Sequence, residues 1–220
     1  RWPQARAALV DALYPRSLTM VRSGEVDLAV GPLLGGSVDR DLHAQPLFEG
    51  QTALVVRADS VHAQARCLAD LIGARWVLAG PVDGPGDPRR LDFGGTTVAA
   101  PTITLECDSY SSLLAVLPSM DAVAVVPLAF QERYAALVGL VKIEVREALP
   151  RVRLYAVWRA GTPLSEPASA LLDALEQEAQ ALRRDASPSL ARPASQFDGG
   201  PPCRPADSTA CDDSSSALEG

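Results

Sequence analysis

Residues 18–33, LTMVRSGEVDLAVGPL, decide the fold of this chain. The pattern predicts an amphipathic helical turn, a Ser-Gly break, and a short acidic and apolar strand that stops at Gly31-Pro32. Gly24 is expected to end the helix, because a residue without a Cβ adopts the left-handed C-terminal conformation at no steric cost. A short buried strand is predicted from the alternating apolar residues Val26, Leu28 and Val30. Open α/β sheets bind small ligands at the carboxyl ends of their strands, so Gly31-Pro32 is a candidate ligand contact.

Helices and strands alternate along the rest of the chain. The other predicted strands cover residues 5–11, 52–57, 76–79, 103–106, 122–126 and 152–158. The predicted helices cover residues 15–23, 68–71, 109–117, 128–137 and 165–184. This alternation predicts an α/β fold with a mostly parallel sheet covered on both faces. Residues 81–101 carry Gly and Pro at close intervals, which predicts a loop.

Composition restricts the function classes. The net charge of -7 argues against binding of nucleic acid by this chain alone, since phosphate neutralisation needs clustered Lys and Arg. A run of eighteen apolar residues and a secretory leader are both missing, so no membrane partner is expected. The cysteines form no Cys-x-x-Cys pair, and reduced thiols are expected. A redox-sensing Cys107 is the alternative.

Several sequence pieces, in their order and spacing, resemble the effector-binding domain of LysR-type transcriptional regulators. The piece SGEVDLAVG at 23–31 resembles the family's "aGelDlaig". The other pieces lie within residues 1–13, 47–59, 68–78, 105–127 and 152–182, and the resemblance covers about residues 1–184.

The resemblance implies an α/β fold of two Rossmann-like lobes joined by two crossing strands, the type 2 periplasmic-binding-protein fold. Residues 52–57 and 152–158 would be the crossing strands. Residues 1–53 with 157–185 would form effector-binding lobe I, and residues 54–156 would form lobe II. Residues 186–220 are rich in Pro, Ser, Asp and Gly and are predicted to be a disordered tail.

Two predicted helix starts would face the crevice between the lobes. Backbone N–H groups and hydroxyls at 108–112, DSYSS, suit a carboxylate or another anion; an N-cap followed by a polar surface turn is the alternative. In the first lobe, Arg16 would either pair with an anionic effector or be a solvated surface residue. The candidate ligand-binding residues, by these patterns and by the resemblance, are Tyr14, Arg16, Ser17, Gly31, Pro32, Leu33, Pro81, Asp108, Ser109, Tyr110, Ser111, Pro127, Leu128 and Phe130.

Catalytic chemistry has little support in the sequence. His43 and His62 are the only histidines, and no G-x-S-x-G, Walker or G-x-G-x-x-G element occurs. We therefore expect no catalytic residue, no metal, no cofactor and no enzymatic activity.

The function implied by the resemblance is effector sensing: a small anionic, possibly aromatic ligand would bind between the lobes, and the signal would pass to a DNA-binding domain. The chain would be a fragment that meets DNA only through a missing N-terminal winged helix-turn-helix. A transporter's solute-binding protein with the same fold is the alternative, and an enzyme built on this fold is a third class. A homodimer or tetramer in the bacterial cytoplasm is expected. The apolar stripes proposed for the dimer surface are Leu18 and Val21 on one helix and Leu113, Leu114 and Leu117 on another.

Overall fold

The computed structural model describes residue 2, residues 4–94 and residues 100–185, with side chains up to residue 183. The strands are β1 (Ala29–Pro32), β2 (Leu42–Arg57), β3 (Arg75–Ala79), β4 (Thr102–Cys107), β5 (Val123–Pro127), β6 (Leu140–Ile143) and β7 (Arg151–Arg159). The α-helices are α1 (Arg16–Ser23), α2 (Tyr110–Val116), α3 (Leu128–Tyr134) and α4 (Glu166–Asp185). The predicted disordered tail, 186–220, lies outside the described residues. Of the helices in the described ranges, none has the length and apolar character that a bilayer crossing requires.

The strands form one sheet in the order β1-β7-β2-β5-β3-β4, with β6 added on β2. Only the two pairings of β3, with β4 and with β5, are parallel. The pairings of β1 with β7 and of β2 with β5, β6 and β7 are antiparallel. The prediction of a mostly parallel sheet is therefore wrong, because β2 and β7 run between the lobes instead of being joined by crossover helices.

Strand β2 is sixteen residues long and belongs to both lobes. Its first part, residues 42–51, pairs with β7, and its second part, residues 52–57, pairs with β5 and β6. The hydroxyl of Thr52 donates a hydrogen bond to the carbonyl of Pro150 at 2.7 Å and joins the two points at which the chain crosses. The two expected crossing strands belong to β2 and β7, which are antiparallel, but the part of β2 that pairs with β7 is residues 42–51 and not residues 52–57. We call the part with β1, α1 and α4 the first lobe and the part with β3–β6, α2 and α3 the second lobe, while β2 and β7 run between the two.

Both faces of the second-lobe sheet are buried. Along β2, Leu54 and Val56 point into one apolar cluster together with Trp76, while Val55 points into the cluster on the other face with Val77. Side chains of a strand alternate between the two faces, so an apolar run such as ALVV fits a strand that is covered on both sides. The predicted covering of this sheet is confirmed.

The prediction for residues 18–33 is correct at the end of α1 and only partly correct for the edge strand β1. Gly24 has φ +75 and closes the helix, as predicted. The strand begins at Ala29, three residues later than Val26, and Val30 is 46% exposed. Strand β1 lies at the sheet edge, which explains why one of its apolar side chains remains in solvent.

Residues 5–11 do not form the predicted strand. They have no regular structure, and Leu9 is fully exposed. At the end of the segment, Asp11 accepts a hydrogen bond from the backbone N–H of Ser111 in the second lobe at 3.0 Å. Just beyond it, the backbone N–H of Leu13 donates to the carbonyl of Asp108 at 2.9 Å. Among the described strands, β1 pairs only with β7, so residues 5–11 take no place in the sheet.

The apolar stripes proposed for a dimer surface are not available. The four residues that are buried in the chain's own core are Leu18, Val21, Leu113 and Leu117. Leu114 is partly buried against the same core. The helical spacing was read correctly, but these helices turn their apolar faces inward.

Candidate functional site

A cavity of about 240 Å³ lies where the carboxyl ends of β1, β3 and β5 converge between the lobes. We call it the central cavity. It is lined by Val10, Asp11, Ala12, Leu13, Tyr14, Val30, Gly31, Pro32, Leu34, Ala79, Gly80, Pro81, Pro85, Gly86, Tyr110, Pro127, Val152 and Leu154. This is the position at which open α/β sheets bind ligands, and the predominantly apolar lining is typical of a small-molecule site.

Two further cavities adjoin it. The arginine cavity, of about 280 Å³, is lined by Pro32, Leu33, Leu34, Gly35, Gly36, Glu49, Pro85, Arg90, Pro150, Arg151, Val152, Arg153 and Tyr155. The outer cavity, of about 400 Å³, is lined by Leu13, Tyr14, Pro15, Arg16, Gly80, Pro81, Leu105, Glu106, Cys107, Asp108, Ser112 and Val116. The outer cavity and the central cavity are both lined by Leu13, Tyr14, Gly80 and Pro81.

The two predicted helix starts meet, but they contact each other. Arg16 donates to the carboxylate of Asp108 at 2.9 Å, and both side chains are more than half exposed. An exposed ion pair of this kind contributes little to stability. Arg16 therefore has a protein partner, which is neither of the two roles that the sequence left open for it.

The hydroxyls at the start of α2 are also engaged within the chain. Ser109 is the N-cap: its Oγ accepts from the N–H of Ser112 at 3.1 Å and donates to the Ser112 hydroxyl at 2.9 Å. Ser111 donates to the carboxylate of Asp11 from its N–H, at 3.0 Å, and from its hydroxyl. A carboxylate of the chain thus takes the position that the sequence suggested for a ligand anion.

Tyr110 brings an aromatic side chain with a neutral donor to the central cavity. Its ring lies 4.8 Å from the ring of Phe130, centroid to centroid. Burial, with a smaller contribution from the charge of Asp11, raises the pKa of Tyr110 above its usual value. The phenol is therefore protonated at neutral pH, and Tyr110 lines the central cavity together with Asp11.

The loop that follows β3 is fixed by a buried carboxylate. The side chain of Asp87 is fully buried and accepts from the N–H of Asp83 at 2.6 Å, the N–H of Arg89 at 2.9 Å and the Arg89 guanidinium at 2.8 Å. Burial opposes the charged form, but these hydrogen bonds outweigh it and lower the pKa of Asp87. The loop also approaches β3 closely at Gly86, where a Cβ would lie 2.4 Å from the carbonyl oxygen of Ala79.

The structure places about half of the predicted ligand contacts on the central cavity. Those residues are Tyr14, Gly31, Pro32, Pro81, Tyr110 and Pro127. Leu33 lines the arginine cavity, and Arg16 and Asp108 line the outer cavity. The predicted residues outside these three linings are Ser17, Ser109, Ser111, Leu128 and Phe130, although Phe130 supports Tyr110 from behind.

Sequence reasoning missed the loop and hinge-strand contributors. The lining residues not predicted include Asp11, Leu34, Pro85, Gly86, Val152 and Leu154. The Gly-Pro-Gly sequence at 84–86 was a usable signal, because Gly is typical of positions where backbones approach closely. The alternation of β7 offered another, since Val152 and Leu154 share one face.

The cysteines differ from each other. Cys107 is a free and buried thiol whose pKa is raised by burial and by Asp108, which disfavours the thiolate that redox sensing needs. Cys67 is disulfide-bonded, so the expectation of reduced thiols is wrong for this residue. Within the described ranges, no group of three or more His, Cys, Asp and Glu side chains is arranged to hold a metal ion.

Comparisons with known proteins agree with this geometry. Residues 1–180 match the profile of the LysR substrate binding domain. Among described proteins, the chain is 27% identical over 176 residues to the HTH-type transcriptional regulator TdcA of Escherichia coli strain K12, covering 78% of this chain but only 54% of that protein.

Solved structures share the fold at low identity. The CcmR regulatory domain of Synechocystis PCC6803 in complex with 2-PG has a TM-score of 0.60 at 18% identity, over 81% of this chain and 86% of that chain. The effector binding domain of QuiR in complex with shikimate has a TM-score of 0.57 at 12% identity, over 77% and 79%.

Proposed function

Since the chain belongs to the family of LysR substrate-binding domains, we propose that it is the effector-sensing part of a transcriptional regulator and that its effector binds in the central cavity. The observation that carries the proposal is the convergence of β1, β3 and β5 on one apolar cavity between the lobes. Binding there would favour one lobe arrangement over another and so change the spacing of DNA-binding domains in the intact protein.

The cavity restricts the effector to a small molecule. Its volume of about 240 Å³ lies below the range of about 300–1,000 Å³ of drug-sized ligand sites. Tyr14 and Tyr110 offer aromatic surface, which favours a ligand with an apolar or aromatic body. The similar structures of CcmR with 2-PG and of QuiR with shikimate support small polar molecules as ligands of this fold.

The proposal includes the domain organisation, the DNA contact and the assembly of the protein. The domain boundaries are 1–53 with 157–185 and 54–156, and the ligand contacts include the predicted residues that line the central cavity. DNA is bound through a separate N-terminal domain, the regulator acts as a homodimer or tetramer in the bacterial cytoplasm, and the domain has no enzymatic activity. The family match favours regulation over the transport alternative.

Calorimetric titration of the full chain tests the proposal. Aromatic and aliphatic carboxylates are compared with neutral and cationic analogues of the same size. A Cβ at Gly31 would meet no atom within 4 Å, so Gly31→Val fills the cavity without a clash and should weaken binding at least tenfold. Ala174→Val on the exposed face of α4 is the matched control and should bind as the parent does. Unchanged binding by Gly31→Val would exclude the central cavity as the site.

A further inference from the structure

The arginine cavity concentrates positive charge in an acidic chain. Its charged side chains are Glu49 and three arginines, Arg90, Arg151 and Arg153. Three cations therefore face one carboxylate, although the whole chain has a net charge of -7. Such a local reversal of sign favours an anion at this position.

Glu49 orients two of the arginines but cannot neutralise both. Arg151 and Arg153 are two residues apart on β7 and so share a face, and Glu49 lies opposite Arg153 on β2. Arg153 donates to Glu49 at 3.1 Å. The closest approach of Arg151 to the same carboxylate is 3.8 Å, too long for a hydrogen bond. Among the described residues, the Arg151 guanidinium donates no hydrogen bond to the protein.

Tyr155 closes one side of the cavity. It follows Arg153 on the same face of β7 and is 8% exposed. A Cβ added to Gly36 would lie 3.1 Å from the Tyr155 hydroxyl, so the backbone of the loop after β1 passes directly over this group. Arg151 and Arg153 therefore stand beside a loop and a tyrosine, with their side chains 51% and 58% exposed.

The arginine cavity adjoins the central cavity. Both are lined by Pro32, Leu34, Pro85 and Val152. The anchors that the sequence suggested for a ligand anion are engaged within the chain, Arg16 with Asp108 and Ser111 with Asp11. Arg151 keeps its planar fork of donors free, and this fork matches an oxyanion bidentately.

We propose that Arg151, together with Arg153, binds the oxyanionic group of the effector, a carboxylate or a phosphate, while the apolar part of the effector lies in the central cavity. The proposal rests on the proposed function for the central cavity but adds the class of ligand and its anchoring residue.

Inorganic phosphate, benzoate and benzamide test the proposal on the full chain by NMR-monitored titration at low salt. Phosphate probes the anchor alone, and benzamide is the neutral match of benzoate. We expect Arg151→Gln to weaken the binding of at least one of the two anions about tenfold or more, and of benzamide not at all. Glu49→Gln should strengthen anion binding, because the competing carboxylate is removed. Arg40→Gln, an exposed arginine outside the cavities, is the matched control.

The opposite effects of the two variants separate anchoring from a structural role, which would lower binding in both. Failure of both anions to bind the parent chain, or equal anion binding by the parent and Arg151→Gln, overturns the proposal. Tighter binding of phosphate or of benzoate shows whether the oxyanionic group of the effector is a phosphate or a carboxylate. Binding of benzamide without anion binding would retain the central cavity as a ligand site and reject the anchor. Phosphate binding that depends on Arg151, without binding of benzoate or benzamide, would retain the anchor and reject the central cavity as a site for these two aromatic probes.

Discussion

Replacement of Asp87 by asparagine should destabilise the chain strongly, although it only exchanges one carboxylate oxygen for an amide nitrogen. The carboxylate is fully buried and accepts hydrogen bonds from two backbone N–H groups and from the Arg89 guanidinium. An asparagine keeps one acceptor oxygen and turns an amide N–H₂ toward the remaining donors. Each hydrogen bond lost to a charged group is worth about 1.5–3 kcal/mol, so we expect the free energy of unfolding at pH 7 to fall by about 2–3 kcal/mol.

The exposure of Arg89 limits this loss. Removing one partner of a fully buried ion pair costs about 3–5 kcal/mol. The Arg89 side chain is 37% exposed, so water recovers part of the interaction, and the expected loss lies below that range.

The dependence on pH gives the prediction a second signature. The pKa of Asp87 is lowered in the folded state, so its stabilisation is fully present above the unfolded pKa of about 3.9 and is lost as the pH falls through the folded value. The difference between the parent chain and Asp87→Asn should therefore be constant from pH 7 to about pH 5 and shrink below about pH 4.

Urea unfolding followed by circular dichroism measures the difference at each pH. Asp173→Asn is the matched control, since Asp173 lies on the exposed side of α4 and should change stability little. A change smaller than about 0.5 kcal/mol at pH 7, typical of a surface substitution, would refute the reasoning. A loss that stays the same down to pH 3 would refute the assignment of the charged form.

Three further predictions concern the core, the loop and a helix end. Trp76→Ala should lower the free energy of unfolding by about 3–5 kcal/mol, because this side chain is 1% exposed in the second-lobe core, and urea unfolding would measure it. Gly86→Ala should lower the melting temperature, because its Cβ would lie 2.4 Å from the carbonyl oxygen of Ala79, whereas Gly31→Ala meets no atom and should leave the calorimetric transition unchanged. Ser109→Ala should cost about 1 kcal/mol through loss of the N-cap, with faster hydrogen exchange in α2, and Ser109→Asp should retain most of that stability.

Local signals in the sequence predicted where helices and strands lie better than they predicted which strands pair with each other. Gly24 predicted a helix end and the stretch 108–112 an N-cap, because both effects act within a few residues. Residues 5–11 are predicted to be a strand, but a strand needs a neighbour, and the neighbour cannot be read from the segment itself. The same limit explains why residues 152–158 were predicted correctly as a strand and assigned to the wrong half of β2.

The same limit applies to the candidate site, where positions fixed by local structure were predicted better than positions that depend on distant contacts. Positions fixed by the ends of strands, such as Gly31, Pro32 and Pro127, were predicted and line the central cavity. Arg16 and Ser111 were chosen for their chemistry, yet each forms a contact with a residue that is distant in sequence. Whether a polar side chain is available for a ligand depends on such contacts, and they follow only from the three-dimensional arrangement.

The uninterrupted course of β2 has a mechanical consequence. Because one strand runs through both lobes without a loop, any change in their relative orientation must twist or bend that strand together with its antiparallel neighbour β7. The register shift between Pro46 and Phe48 offers a place where such bending can be absorbed. The two halves should also melt as a single cooperative unit, and a chain cut between Gln51 and Thr52 should yield no autonomous fragment.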